Sequence, residues 1–288
     1  MGEMTLGRLL NMAERRLEAI SESPGFEARC LAQQVFSLDH AGLVTHKQDP
    51  VAQDKALGFL EFVERRLSGE PLQYILGRWE FYSLPFEVGE GVLIPRADTE
   101  TLVDCALKFL EGIKNPKVAD LCSGSGCVAV SIAKNRLDCS VTAVELSQEA
   151  FSYLERNIAL NGTANVTPKQ ADVLCGGENF GQFDLIVSNP PYIKRETIAE
   201  LSREVLCEPK MALDGGKDGL VFYHALCKKW RENLSPGGAL MVEIGFDQAD
   251  NVKKLFEKFF EAINCVSDLC GITRVVMGRK PIKEERKN

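Results

Sequence analysis

The chain has 288 residues, of which 26% are charged, and a formal net charge of -7; these are ordinary values for a globular protein of one or two domains. The acidic balance argues against a protein that is drawn to nucleic-acid backbones by its overall charge. Ten cysteines without a Cys-x-x-Cys pair and only three histidines argue against a zinc site, and no apolar run is long enough to span a bilayer.

Residues 1–72 are predicted to form a small helical domain. Apolar side chains recur at helical spacing over residues 6–20, 28–36 and 56–67. Asp49, with the proline after it, is a favourable N-cap for the third of these helices. The segment contains no dense cluster of catalytic residue types, so its one cysteine and two histidines are interpreted as structural or surface groups.

Residues 73–95 are predicted to form a β-hairpin linker, because aromatic and β-branched residues dominate this stretch between turn-forming proline and glycine positions. A helix follows, and Asp98 or Thr99 could cap its first turn. Arg96 and Glu100 stand at the same point of the chain. From these residues alone, a surface ion pair between them is as reasonable as a functional role.

A short strand over residues 117–121 leads into a glycine-containing turn, and a helix follows the turn. The turn consists of Cys122, Ser123, Gly124, Ser125 and Gly126. Such a turn lets a ligand approach bare backbone near a helix N-terminus. By itself it is a weak signal, and Ala129 stands where the dinucleotide fingerprint has its third glycine.

Two acidic residues lie at the ends of the next two predicted strands. Glu145 comes about 20 residues after the glycine turn, where a carboxylate can accept both hydroxyls of a ribose. Asp172 ends the following strand; a carboxylate there could accept from the exocyclic amine of adenine, while Val173 packs against the ring. Either acid alone could instead be a helix cap or a solvated loop residue.

An apolar run over residues 183–187 is typical of a buried parallel strand, and it stops at Pro190 and Pro191, which cannot donate ladder hydrogen bonds. The carbonyl groups of Asn189 and Pro190 are therefore free at the carboxyl end of a strand, where open α/β sheets bind ligands. Two carbonyl groups can accept both hydrogens of a planar NH2 group, while Tyr192 covers its flat face. This stretch resembles the Asn-Pro-Pro-Tyr motif of methyltransferases that act on amino groups; a rigid turn is the alternative.

Four successive βα units would bring the glycine turn, the two acidic residues and Asn189 to one edge of a parallel sheet. Further strands are predicted over residues 239–244, 263–266 and 273–277, of which the last two form an antiparallel edge pair. From Lys280 onward the chain is predicted to be a charged, frayed tail.

The complete pattern resembles the HemK/PrmC family, S-adenosylmethionine-dependent N5-glutamine methyltransferases of peptide chain release factors. The resemblance covers nearly the whole chain and rests on residues 70–77, 95–100, 120–126, 188–193, 208–209 and 274–276. Asn-Pro-Pro-Tyr alone is shared with DNA adenine and ribosomal RNA methyltransferases, and the first two motifs narrow the resemblance to this family. One departure is Cys122, where many relatives have glycine. Cofactor approach is expected to remain possible if the backbone of Cys122 stays out of the φ > 0 region.

The resemblance implies an α/β protein with three parts. These are a helical substrate-recognition domain (1–72), the hairpin linker (73–95) and a class I, Rossmann-like methyltransferase domain with a seven-stranded, mostly parallel sheet (96–288). It also implies S-adenosyl-L-methionine as cofactor and S-adenosyl-L-homocysteine as product. The implied cofactor-binding residues are Cys122, Ser123, Gly124, Ser125, Gly126, Glu145, Asp172, Val173 and Asn189.

The acceptor implied by the resemblance is the glutamine amide of the Gly-Gly-Gln loop of class I release factors, whose methylation modulates translation termination. In this hypothesis Asn189 Oδ1 and the Pro190 carbonyl bind the two N–H groups, and Tyr192 holds the amide plane. The implied catalytic residues are Asn189, Pro190 and Tyr192, and the implied substrate-binding residues are Asn189, Pro190, Pro191, Tyr192, Arg96 and Glu100.

Three other functions remain as alternatives. An amino methyltransferase of a nucleic-acid base, of the adenine N6 type, could use the same site, although the acidic balance and the lack of a basic, aromatic segment argue against it. A nicotinamide oxidoreductase would leave the Asn-Pro-Pro-Tyr strand end unexplained, and an inactive binding protein would not need these residues. We further expect a cytoplasmic protein, because its thiols are scattered and no signal peptide is evident, with no metal, membrane or direct nucleic-acid contact.

Overall fold

The computed structural model describes residues 4–281, which belong to two compact units. The first unit runs to Arg78 and also includes Ser202–Cys207, and the second comprises Trp79–Leu201 and the chain from Glu208 onward. The division of the chain at residues 72 and 95 stays a prediction. Of the tail predicted from Lys280 onward, Lys280 and Pro281 belong instead to the last strand, Thr273–Pro281, and the rest lies outside the described residues.

The first unit is helical, as its apolar stripes predict. Its helices are α1 (Leu6–Leu17), α2 (Pro24–Phe36), α3 (His40–Thr45), α4 (Gln53–Leu67) and α5 (Leu72–Leu76). Asp49 does not cap α4, which begins three residues beyond Pro50; its carboxylate instead pairs with His46 Nδ1 at 2.7 Å. Within the stretch 73–95, predicted as a β-hairpin linker, the helix α5 runs to Leu76 and the first strand begins at Arg78.

A buried arginine stabilises this unit. Arg66 is 2% exposed, and its guanidinium donates to Glu27 Oε2 at 2.7 Å and also pairs with Glu204 of the segment Ser202–Cys207. A buried cation needs such partners, because removal of one side of a buried pair typically destabilises a protein by about 3–5 kcal/mol.

All nine strands of the described chain belong to the second unit, except that Arg78, the first residue of the first strand, belongs to the first unit. The strands are β1 (Arg78–Phe81), β2 (Leu84–Glu87), β3 (Lys117–Leu121), β4 (Ser140–Glu145), β5 (Val166–Gln170), β6 (Phe183–Ser188), β7 (Leu234–Glu243), β8 (Phe260–Ser267) and β9 (Thr273–Pro281). The remaining helices of the chain are α6 (Glu100–Phe109), α7 (Cys127–Asn135), α8 (Gln148–Asn161), α9 (Arg203–Leu206), α10 (Lys210–Leu213), α11 (Val221–Ala225) and α12 (Ala249–Phe256), of which α9 belongs to the first unit. A π-helical turn, Leu226–Trp230, continues α11.

Seven of these strands form one sheet in the order β5-β4-β3-β6-β7-β9-β8, and β1 pairs with β2 in a hairpin. The strands from β5 to β7 are parallel, whereas β9 is antiparallel to both of its neighbours. The expected seven-stranded, mostly parallel sheet is therefore confirmed. The last two strands are antiparallel to each other, as predicted. Of this pair only β8 lies at an edge of the sheet, because β9 lies between β7 and β8.

The register of the parallel strands brings their carboxyl ends to one level. Leu121 pairs with Val144 on one side and with Ser188 on the other, and Ser188 pairs with Val242. The chain order reverses between β3 and β6, which is where open α/β sheets bind ligands. The residues that follow these paired positions are Cys122, Glu145, Asn189 and Glu243.

Candidate active site

A cavity of about 350 Å³ lies at this edge of the sheet. Of the predicted site residues, its wall includes Cys122, Gly124, Glu145, Asp172, Val173, Asn189 and Pro191. A smaller space of about 30 Å³ is lined by Arg96, Ser123 and Ser125, and it shares Cys122, Gly124 and Asn189 with the larger cavity. The structure thus brings together residues that the sequence places on four different strands.

The glycine turn has a left-handed backbone at three positions. The φ angles are 56° at Gly124, 81° at Gly126 and 62° at Cys122. The backbone of Cys122 therefore does not stay out of the φ > 0 region, which is the condition expected for cofactor approach. Glycine adopts this conformation without strain, whereas a residue with a Cβ loses about 1–2 kcal/mol of stability in it. A Cβ placed on Gly124 would meet nothing within 4 Å, so the backbone of the turn is open towards the cavity.

Buried polar groups hold the turn in place. Asp120 Oδ2 accepts from the backbone N–H of Ala129 at 3.0 Å, and the Ser123 hydroxyl donates to the Asp120 carbonyl at 2.8 Å. Burial raises the pKa of Asp120 to about 7, although the hydrogen bond from Ala129 works against the shift. The carboxyl group therefore joins the end of β3 to the first turn of α7.

Glu145 closes the turn from the neighbouring strand. Its Oε2 accepts from the backbone N–H of Gly124 at 2.8 Å, and its Oε1 accepts from those of Leu146 and Ser147 at 2.9 and 2.8 Å. A carboxylate has about four acceptor positions. Three are taken by the backbone, so one remains towards the cavity.

Asp172 and Val173 lie on the loop after β5. Asp172 Oδ1 accepts from the backbone N–H of Leu174 at 2.8 Å, and Val173 is buried with its side chain in the cavity wall. The indole N–H of Trp230 donates to the Val173 carbonyl at 2.8 Å and so anchors the loop after β5. Sequence reasoning missed Trp230, since a tryptophan in an apolar helix gives no signal of such a contact.

The Asn-Pro-Pro-Tyr segment does not face the cavity uniformly. Asn189 and Pro191 line the cavity, whereas Pro190 and Tyr192 are not part of its wall. The Tyr192 ring packs against the apolar cluster on one face of the sheet, and its carbonyl accepts from Gln248 Nε2 at 3.0 Å. Burial, together with the nearby charge of Glu243, raises the pKa of Tyr192 to about 12.

Arg96 and Glu100 do not pair with each other, so the simple surface ion pair is wrong. Arg96 pairs with the buried Glu208, whose other oxygen accepts from the Ile94 N–H at 2.9 Å. Glu100 accepts from the backbone N–H of Tyr82 at 2.8 Å. Of the two, only Arg96 lines a space beside Asn189.

Sequence reasoning gave Thr99 a different role and gave Glu243 none. Thr99 makes no capping hydrogen bond to α6; its hydroxyl oxygen accepts from Asn189 Nδ2 at 3.1 Å. Glu243 is buried at the end of β7 beside both residues. The available signal was an acidic residue inside an otherwise apolar strand, which requires a local partner.

The cavity also has an apolar wall that no sequence motif marked. It is formed by Leu93, Leu146, Pro209, Met211, Ala212, Val221 and Phe222. Within residues 4–281 the structure has no cluster of His, Cys, Asp and Glu side chains able to hold a metal ion. Over the same part of the chain, no helix is both long enough and apolar enough to cross a membrane.

The sheet order, the glycine turn after β3 and the cavity at the point of chain reversal define a class I methyltransferase fold. The PrmC N-terminal domain family matches residues 8–77, and the methyltransferase small domain family matches residues 99–224. A solved methyltransferase structure, SMU.776 complexed with SAH, shares this fold with a TM-score of 0.50 at 14% identity, over 71% of this chain and 56% of that one.

Two curated relatives are similar over most of the chain. The release factor glutamine methyltransferase of Koribacter versatilis is 38% identical over 280 residues, which cover 96% of this chain and 99% of the relative. That of Geobacter sulfurreducens is 41% identical over 263 residues, which cover 90% of each chain. The chain therefore belongs to the release factor glutamine methyltransferase family.

Proposed function

We propose that this protein transfers a methyl group from S-adenosyl-L-methionine to the side-chain amide nitrogen of the glutamine in the Gly-Gly-Gln motif of class I peptide chain release factors. Support comes from the two relatives described above. Both are named release factor glutamine methyltransferase, and this chain is similar to them over 99% and 90% of their lengths. Neither name supports the alternative acceptor, a nucleic-acid base.

The observation that carries the proposal is the orientation of Asn189. Its Nδ2 donates to Thr99, so its Oδ1 is the amide atom left to accept a hydrogen bond. An acceptor at this point suits a substrate NH2 group, and we assign the second acceptor to the Pro190 carbonyl. An acceptor amide has two N–H donors on one nitrogen, and the two oxygens would bind them both.

The residues around the cavity fit S-adenosylmethionine. The volume of about 350 Å³ is within the range of small-molecule sites. The open face of Gly124 allows close approach, and the buried Ser125 Oγ has no hydrogen-bond partner among the described residues. We assign the remaining acceptor position of Glu145 to a ribose hydroxyl, and Asp172 and Val173 to adenine. The bound cofactor supplies an electrophilic methyl group on a sulfonium sulfur.

The protein's contribution to the reaction is positioning and charge stabilisation. An amide nitrogen is a poor nucleophile because its lone pair is delocalised into the carbonyl group. Asn189 Oδ1 and the Pro190 carbonyl fix the nitrogen in place, and such near-attack positioning can lower a barrier by roughly 7–11 kcal/mol. The same oxygens stabilise positive charge as it develops on the nitrogen. We assign to Tyr192 the support of this segment, and to Arg96 and Glu100 a part in substrate binding.

We assign recognition of the release factor to residues 1–72, whose described part, from residue 4, is mainly helical and carries no catalytic cluster. A cytoplasmic location agrees with the ten cysteines, all of which are free. Direct contact with nucleic acid is not part of the proposal, in keeping with a net charge of -7.

The test is incubation of the purified protein with a class I release factor and S-adenosylmethionine, followed by peptide mass spectrometry. We expect a gain of one methyl group on the Gly-Gly-Gln glutamine. Asn189→Ala should reduce turnover at least about 100-fold, because the positioning oxygen is lost. Asn264→Ala, an exchange at an exposed position of β8, is the matched control and should retain turnover.

Two results would overturn parts of the proposal. If the wild-type protein binds the cofactor but leaves the release factor unmethylated, the acceptor is wrong. If Asn189→Ala turns over like the wild type, the acceptor can stand but the assigned role of Asn189 is wrong.

A further inference from the structure

Glu243 is a buried acidic residue that the mechanism above does not use. It is 3% exposed at the carboxyl end of β7. The pairing of Ser188 with Val242 places it next to Asn189 at the edge of the sheet. A buried carboxyl group destabilises a protein relative to a well-packed apolar residue unless it is fully hydrogen-bonded. Its Oε2 has no hydrogen-bond partner among the described residues, so structural stability does not explain it.

Three side chains form a chain of polar contacts that ends at this carboxyl group. Asn189 Nδ2 lies 3.1 Å from Thr99 Oγ1, and the polar groups of Thr99 and Asn189 lie close enough to the Glu243 carboxyl group to favour its charged form. Thr99 and Asn189 are 90 residues apart in sequence. The three side chains therefore meet only because β6, β7 and the start of α6 come together in the fold.

The direction of the hydrogen bonds among these three side chains is determined by Glu243. An ionised carboxylate can only accept hydrogen bonds, so the single hydroxyl hydrogen of Thr99 is directed to Glu243. The Thr99 oxygen can then only accept from Asn189. An asparagine amide could face Thr99 with its oxygen or its nitrogen, and this requirement selects the nitrogen. The Asn189 oxygen is consequently turned to the opposite side, which is where the acceptor amide must bind.

We propose that Glu243, acting through the hydroxyl of Thr99, is the positioning residue that holds the Asn189 side chain with its oxygen towards the substrate amide. The inference rests on the function proposed above for Asn189 and deepens it. Glu243 touches neither cofactor nor substrate in this role; it fixes the orientation of the residue that does.

The ionisation state of Glu243 should control this orientation. A protonated carboxyl group can donate to Thr99, which frees the Thr99 hydrogen to donate to the Asn189 oxygen and reverses the amide. Burial raises the pKa of Glu243 to about 7, so both forms are accessible near neutral pH. The other titratable groups that interact with it electrostatically are Asp98, Cys127, Tyr192, Tyr223 and Arg274.

The first experiment measures release-factor methylation by Glu243→Gln and Glu243→Met. Glutamine keeps the shape of the side chain but adds a hydrogen-bond donor, so the direction of the hydrogen bonds through Thr99 to Asn189 is no longer fixed. We therefore expect kcat to fall about 10-fold. Methionine is similarly long and flexible but offers no strong acceptor, and we expect a fall of about 100-fold. The dissociation constant for S-adenosylmethionine should stay within about twofold of the wild type, because Glu243 lies outside the cavity wall.

A matched pair of exchanges at Thr99 tests the relay independently. Thr99→Val has nearly the same shape without the hydroxyl, and it should lower kcat about as much as Glu243→Met. Thr99→Ser restores the hydroxyl and should recover most of the activity. The double variant Glu243→Met with Thr99→Val should be no worse than either single variant, since both exchanges break one chain.

The pH dependence supplies a readout that a purely structural role would not change. The profile of kcat/KM reports on the free enzyme. The wild type should lose activity as pH falls below about 7, whereas Glu243→Gln and Thr99→Val should show a flatter profile in that range.

The outcomes separate this inference from the proposed function. Wild-type turnover and an unchanged acid limb in both Glu243→Gln and Thr99→Val, with Asn189→Ala inactive, would overturn the inference and leave the function standing. Wild-type turnover by Asn189→Ala would remove the function assigned to Asn189 and the inference with it. If a Glu243 variant fails to fold, the Thr99 pair decides: equal activities of Thr99→Val and Thr99→Ser overturn the inference.

Discussion

The buried carboxyl group of Glu243 should make the stability of the protein depend on pH in an unusual direction. Burial raises its pKa from the ordinary value of 4.5 to about 7 in the folded protein. Between these values the folded protein holds a proton that the unfolded chain releases. The contribution of this group to stability is therefore fully present below pH 4.5 and is lost as pH rises to about 7.

The exchange Glu243→Gln isolates this contribution, because glutamine has nearly the same shape and does not titrate. One pKa unit corresponds to about 1.4 kcal/mol, so the loss over the whole window is roughly 3 kcal/mol. The free energy of unfolding of the variant, relative to the wild type, should rise by about this amount between pH 4.5 and 8. Effects of other ionisable groups, including the buried Asp120, are common to both proteins and cancel in the difference.

Urea unfolding of both proteins at several pH values provides the measurement. Glu261→Gln is the matched control, because Glu261 is exposed on β8 and its exchange should change stability equally at every pH. A difference between Glu243→Gln and the wild type that stays constant from pH 5 to 8 would refute the reasoning. It would mean that the carboxyl group is not kept from water in the folded protein.

Three further exchanges test the cofactor site. Gly126→Ala should destabilise the protein by about 2 kcal/mol or more in urea unfolding, because the added Cβ would lie 2.4 Å from Leu154 Cδ1 at a positive φ. Gly124→Ala should cost only about 1 kcal/mol but should weaken cofactor binding at least about 10-fold by calorimetry, because its Cβ enters the cavity; equal loss of stability in both variants would contradict this distinction. Trp230→Phe removes the hydrogen bond to Val173 and should weaken cofactor binding about fivefold without lowering kcat at saturation. Unchanged cofactor affinity would show that the loop after β5 does not depend on Trp230.

The elements of this protein were largely evident from local sequence. Periodic apolar residues predict three helices of the first unit, α1, α2 and α4, and continuous apolar runs predict the strands that precede Cys122, Glu145 and Asn189. Both signals are local, because they depend on the spacing of side chains along one helix or strand. The strand ends could also be placed at one edge of the sheet, since parallel βα units repeat in one direction.

Local sequence was less reliable where two structures are compatible with the same residues. The stretch after residue 72 is rich in β-forming residues but begins with the helix Leu72–Leu76, because packing overrides weak propensity. Cys122 adopts a positive φ although its side chain disfavours that conformation. The tight turn between β3 and α7 sets this backbone geometry, and the surrounding fold holds it.

The partners of polar side chains were decided only by the tertiary structure. Arg96 pairs with Glu208 and Thr99 accepts from Asn189, in both cases across large distances in sequence. Hydrogen bonds and ion pairs depend on distances of about 3 Å, and residue spacing along the chain does not specify such distances between separate elements. The sequence by itself therefore determined which groups could do the chemistry, and the packing of β6, β7 and α6 decided how Asn189 is oriented.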